Sequence, residues 1–173
     1  ISICGLLWIY SHHGIKTYKM NGIIDMDVVI MKYKLLEEQD IDFMENVLID
    51  DNMIYNRNSL KKFVDDKNAY GFIAKEGNLI VGFAYGYALF RPDGRIMFYL
   101  HSIGMLPQYQ NNGYGTKLLE FIKKYARDTG CSEMFVITDK GNPRACHVYE
   151  KLGGKNDYED EIVYVYDYDK ENK

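Results

Sequence analysis

The apolar run Ile96 to Met105 passes through Leu106-Pro107-Gln108-Tyr109-Gln110-Asn111-Asn112-Gly113-Tyr114-Gly115-Thr116 into a second apolar stretch of helical period. This strand, glycine-bearing loop and helix limit the fold more than any other feature. Gly113 and Gly115 let the backbone bend sharply and approach a ligand with no Cβ in the way. The first N–H groups of the new helix point into the turn, and the helix dipole favours an anion there. Thr116 adds a hydroxyl donor. The Gly-x4-Gly-Lys-Ser/Thr phosphate loop and the Gly-x-Gly-x-x-Gly dinucleotide fingerprint are both absent. Two glycines at this spacing, taken alone, also suit a purely structural turn.

The surrounding periodicity is that of an α/β domain. A strand is expected at about 32–36, then a helix starting near Glu37-Glu38-Gln39-Asp40 with Ile41, Met44, Val47 and Leu48 on one face. A second helix follows Asn58 or Ser59, with Leu60, Phe63 and Val64 inward. Strands at 70–75 and 79–89 meet at Glu76-Gly77-Asn78, and Arg91-Pro92-Asp93-Gly94 turns the chain into the strand Ile96–Met105. A helix from Gly115 or Thr116 to about Thr129 buries Leu118, Leu119, Ile122 and Tyr125. A strand at 133–138, a helix at 143–152 and a strand at 162–168 complete the pattern. Early hairpins and later helical crossovers predict a mixed sheet.

At 173 residues the chain accommodates one well-filled domain, and 47% hydrophobic with 27% charged residues suits a globular protein. The net charge of −4 gives little support to non-specific nucleic-acid binding, which wants a positive surplus, so no nucleic-acid partner is expected. Cys4, Cys131 and Cys146 form no Cys-x-x-Cys pair, so a reducing cytoplasm is the expected compartment. No His, Cys, Asp and Glu cluster has zinc spacing, so no metal is expected. The apolar opening Ile1 to Tyr10 is too short to cross a bilayer and no basic residue precedes it, so no membrane or secretory role is expected. Residues 1–30, which include His12 and His13, read as a non-catalytic extension, and 31–173 as the functional domain.

The run Ile103-Gly104-Met105 through Gly115 resembles the acetyl-CoA signature of the GNAT superfamily of N-acetyltransferases, Gln/Arg-x-x-Gly-x-Gly/Ala after a strand. Asn142-Pro143-Arg144-Ala145-Cys146-His147-Val148-Tyr149-Glu150-Lys151-Leu152-Gly153 resembles the second cofactor segment of the same superfamily. Gly153-Gly154 stands where many relatives have Gly-Phe, which removes an aromatic filler and no reacting group. The resemblance spans roughly 31–168. It implies a mixed, mostly antiparallel central sheet flanked by helices, with splayed central strands.

Residue by residue, the resemblance places Ile103, Gly104 and Met105 along the pantetheine arm. It places Gln110, Asn111, Asn112, Gly113, Tyr114, Gly115 and Thr116 around the pyrophosphate. Asn142 would face the cofactor arm and Tyr149 its sulfur. Acetyl-CoA is then the acetyl donor, and a primary amine the acceptor within one ternary complex. The Met105 N–H is the candidate donor to the carbonyl oxygen and Tyr149 the acid for the departing thiolate, since a phenol stays protonated at neutral pH. The base is less defined. Many relatives carry a carboxylate near the position of Ser102, which cannot do that work. His101 adjoins it and has suitable chemistry, although strand alternation puts the two on opposite faces. His147 and Tyr149, two apart, fall on different helical faces. Cys146 reads as a packing residue.

Acceptor specificity is expected from the early helices, the turn near 91–95 and the C-terminal segment. Asp157, Glu159, Asp160 and Glu161 form an acidic stretch that reads first as a solvated edge and, as the sharper alternative, as a site for a cationic amine. With the Tyr-Val-Tyr-Asp-Tyr-Asp ending, this region weakly resembles aminoglycoside 3-N-acetyltransferases. The resemblance implies an aminoglycoside or polyamine acceptor. Peptide or protein amines, a homodimer paired through the late strand, and a non-catalytic acetyl-CoA-binding role stay open.

Overall fold

The computed structural model describes residues 30–156 and Val163. These residues fall into two compact units, the first ending at Ile137 and the second beginning at Thr138. The expected strand at 162–168, the acidic stretch, residues 1–29, Cys4, His12 and His13 lie outside the described residues, apart from Val163 itself.

The first unit contains β1 (Met31–Leu35), a 3-10 turn at Glu38–Phe43, α1 (Glu45–Asp50), α2 (Arg57–Asp65), β2 (Ala69–Glu76), β3 (Leu79–Phe90), β4 (Ile96–Met105), α3 (Tyr114–Asp128) and β5 (Glu133–Val136). A short 3-10 turn, Pro107–Tyr109, precedes α3, and α4 (Pro143–Lys151) lies in the second unit. The sheet runs β1-β2-β3-β4-β5, antiparallel except for the parallel β4–β5 pair. It is therefore mixed and mostly antiparallel, as expected. Glu76 pairs with Leu79 across a two-residue Gly77-Asn78 turn in which Gly77 has φ +60°. The positive φ suits glycine, which has no Cβ to strain.

The two faces of the sheet are covered differently. Against α3, Phe72 meets Phe98, Phe121 and Tyr125 edge-on at 5.9, 6.2 and 5.3 Å between ring centres. Such T-shaped contacts are the preferred geometry of aromatic quadrupoles. Leu118, Leu119, Ile122 and Ala126 are buried along α3, while Tyr125, expected inside, is only half-buried. On the opposite face Leu36, Ile41, Met44, Val47, Leu48 and Leu60 close over Ile73, Ile80 and Phe83.

The helix expected from residue 37 is interrupted. Asp40 is 1% exposed and its carboxylate is bound by Lys34 and Lys75, each at 2.9 Å. It also accepts from the Glu37 N–H at 3.2 Å, completing a reciprocal cap that tightens this turn into 3-10 geometry before α1 begins. The four apolar positions of the expected face are nonetheless all buried. α2 starts earlier than expected because Asn56 caps it, accepting from the Ser59 N–H at 3.0 Å. β5 stops at Val136, two residues short of its expected end.

Candidate active site

β4 changes character along its length. Between Met97 and Leu100 it pairs with β3 on one side and with β5 on the other. Beyond Leu100 the β5 pairing ends, whereas pairing with β3 continues to Met105. Leu106 donates its N–H to the Val81 carbonyl at 2.9 Å. Main-chain groups alternate sides along a strand, so the N–H and C=O of Met105, and likewise of Ile103, point away from β3 toward the open edge. Gln110 Nε2 reaches round to donate to the Met105 carbonyl at 2.9 Å. The ladder to β5 ends at Leu100, the point at which the expected splay of the central strands would begin.

The loop that follows holds two residues in the left-handed region, Asn111 at φ +61° and Gly113 at φ +78°. Asn112 Nδ2 donates to the Gln110 carbonyl at 3.0 Å and braces the bend. A Cβ built on Gly113 would meet no atom within 4 Å, so open space lies beside the backbone where α3 begins. The opening N–H groups of this fifteen-residue helix, at Tyr114, Gly115 and Thr116, have no intrahelical acceptors. A Cβ on Gly115 would touch Met105 Cγ at 3.5 Å, so loop and strand end lie side by side. Behind the loop Tyr109 donates to Glu76. That bond, with burial second, pushes the Tyr109 phenol up to about 12 and fixes the ring as a neutral donor.

Strict side-chain alternation does not hold at His101 and Ser102. Ser102 pairs with Tyr85 and Leu100 with Gly86, so His101 is an extra residue with no partner on β3. This β-bulge resets the side-chain alternation and brings His101 and Ser102 to the same face. That face carries Tyr85, Tyr87 and Tyr99, whose rings lie 4.9, 6.5 and 5.5 Å from the imidazole. His101 Nδ1 lies 3.1 Å from Tyr99 Oη, and Phe135 stacks on Tyr99 at 5.0 Å. Ser102 Oγ donates to Asp51 Oδ2 at 3.1 Å. Burial, followed by the charges of Tyr87 and Asp51, pushes the Tyr85 phenol up. Neither Asp51 nor this aromatic wall was picked out from the sequence. Asp51 is one acidic residue among many, and a bulge leaves no sequence mark.

In the second unit, Asn142 caps α4 by accepting from the Ala145 N–H at 3.1 Å, which gives it a structural task beside its expected one. Tyr149 lies on α4, and burial pushes its phenol up, which keeps the proton in place at neutral pH. His147 is exposed, and Cys131 and Cys146 are free thiols. Among the described residues no group of three or more His, Cys, Asp or Glu is placed to hold a metal, and no helix is long and apolar enough to cross a membrane.

Among the described residues, a strand edge without a partner runs beside a glycine loop at a helix start, and its outward amides suit an extended ligand ending in anionic groups. The family model for the acetyltransferase (GNAT) family matches residues 33–154, and the chain belongs to that family. A thialysine N-epsilon-acetyltransferase from Mus musculus is 30% identical over 81 residues, covering 47% of this chain and 48% of that protein. The same enzyme from Sus scrofa is 27% identical over an equal length, so the chain spans about half the length of the curated relatives it matches. Among solved structures, an aminoglycoside acetyltransferase from an uncultured soil metagenomic sample, in complex with sisomicin, is 26% identical. It aligns with 79% of this chain and 94% of its own at a TM-score of 0.65. An aminoglycoside N-acetyltransferase in complex with CoA is 17% identical over 80% of this chain and 95% of its own, at a TM-score of 0.65, and shares the fold.

Proposed function

We propose that this protein transfers an acetyl group from acetyl-CoA to the primary amine of a small cationic acceptor. The observation that carries this reading is the open β4 edge running into the Gln110–Thr116 loop. The free space beside Gly113 and the outward amides of Ile103 and Met105 suit a pantetheine arm ending in a pyrophosphate. Bound there, acetyl-CoA supplies an activated acetyl thioester.

The chain's own residues do the rest. Ile103 and Met105 offer main-chain groups to the arm, and the loop amides with Thr116 take the phosphates. The Met105 N–H is fixed in the strand and awaits negative charge on the acyl oxygen, where a preorganised donor is most effective. Tyr149 holds a phenolic proton for the departing sulfur, and burial keeps that phenol protonated at neutral pH. Asn142 caps the start of α4. Of the side chains able to take the amine's proton, His101 is read from the sequence and Asp51 from the structure.

The acceptor class rests on the aromatic and acidic character of the face carrying His101, and on the small amines named for the relatives. A screen of lysine analogues, polyamines and aminoglycosides, read by thiol release and product mass, tests it. Acetyl gain on one primary nitrogen is expected. Acetyl-CoA binding without amine-dependent thiol release would overturn the enzymatic reading.

A further inference from the structure

The geometry points to Asp51, at the end of α1, as the carboxylate that receives the acceptor's ammonium and takes its proton, with Ser102 as the residue that positions it. The inference rests on the acetyltransferase reading and names the acceptor's partner within it. Three observations converge. Ser102 Oγ donates to Asp51 Oδ2 at 3.1 Å, which holds one carboxylate oxygen and leaves Oδ1 for another partner. Asp51 lines a cleft together with Val47, Asp50, Phe83, Gly104, Met105 and Leu106, so it shares that cleft with the strand end that carries the Met105 N–H. A Cβ on Gly104 would meet nothing within 4 Å, which leaves the strand approachable there.

The His101 bulge completes the setting. By placing Ser102 on the Tyr85 face it lets a strand hydroxyl grip a helix carboxylate. Tyr85, Tyr87 and Tyr99 line the same face, and aromatic faces attract an alkylammonium. Among the described residues, Asp50 from α1 lines the same cleft as Asp51, and the Tyr85 phenol on β3 feels its charge. Neither of these two is a cation that would neutralise the carboxylate in advance. The ligand class is a primary aliphatic ammonium.

The protons balance. An ammonium R–NH3+ loses one proton to the Asp51 carboxylate, which passes it to solvent at this exposed position. The neutral nitrogen forms the bond to the acyl carbon as the carbon–sulfur bond breaks. The second nitrogen proton restores the one that Tyr149 gives to sulfur, so one proton leaves in all.

The test uses the full chain and Asp51→Asn, an exposed and isosteric change, together with Ser102→Ala and Ser102→Thr. Spermidine, lysine and tobramycin are titrated calorimetrically without acetyl-CoA, and turnover is followed from pH 6 to 10. Asp51→Asn is expected to weaken the best amine about tenfold. It should lower turnover about a hundredfold at pH 7. That deficit should shrink as pH approaches the amine's own pKa of about 10.4, where neutral amine arrives unaided. Ser102→Ala should show a smaller deficit of the same pH dependence, and Ser102→Thr should restore the wild-type profile. Wild-type amine binding in Asp51→Asn, a deficit independent of pH, or no amine binding by the wild-type protein would each overturn the assignment. Amine binding that needs Asp51, without amine-dependent thiol release, would instead sink the enzymatic reading and leave Asp51 as the ammonium site.

Discussion

The two halves of β4 share one strand and one partner in β3, yet they are built for different ends. From Ile96 to Leu100 the strand has neighbours on both sides over Met97–Leu100, and Phe98 and Leu100 are 1% and 0% exposed. From Ser102 to Met105 one edge has no strand partner among the described residues, and the residue between the halves is a bulge. The closed half holds the fold together. The open half forgoes ladder hydrogen bonds, and its main-chain groups are available to a ligand that can complete the sheet.

If that division is correct, changes in the closed half should alter stability, and changes in the open half binding or turnover. Leu100→Ala should give the largest effect, a loss of about 3 kcal/mol from the emptied core. Urea unfolding would measure it, and acetyl-CoA affinity of the folded fraction should stay unchanged. Tyr149→Phe should lower kcat about a hundredfold with little change in stability, read by steady-state kinetics with a confirmed acceptor. Turnover unchanged across pH would remove Tyr149 as the acid. Gly113→Val should weaken acetyl-CoA about tenfold or more, because a branched side chain fills the open space and resists φ +78°. Calorimetry on the folded variant would check this.

An acid titration sharpens the comparison from outside β4. Burial alone would raise the Asp40 carboxyl, but the hydrogen bonds from Lys34 and Lys75 more than offset it and leave the pKa lowered. A folded pKa below the unfolded one means that this stabilisation is present above pH about 4 and is lost as pH falls through the folded value. Asp40→Asn should remove that part of the acid slope in pH-dependent urea melts. Smallest of all, His101→Gln should shift stability by under about 0.5 kcal/mol, since the ring is exposed.

The sequence was most legible where period and chemistry coincide. β4 was read to the residue, because ten apolar-rich positions end at a proline-bearing loop. Leu118, Leu119 and Ile122 were read as buried on α3 from helical spacing. The site was legible along the chain and less so across it. The cofactor loop is contiguous, so a motif reveals it. The Asp51–Ser102 contact joins residues 51 positions apart, and only tertiary pairing brings them together. The bulge at His101 depends on a mismatch between β3 and β4, and strict alternation is therefore the wrong rule at that one position. The interrupted helix near Asp40 has a similar cause, a buried acid whose lysine partners lie on β1 and β2.

Amide hydrogen exchange with and without acetyl-CoA, resolved to single residues, tests the central claim most directly. Slower exchange is expected at Ile103, Met105 and Gly113 to Thr116, with the β1–β2 amides unchanged. If acetyl-CoA binds and those amides exchange as before, the open edge of β4 is not where the donor sits.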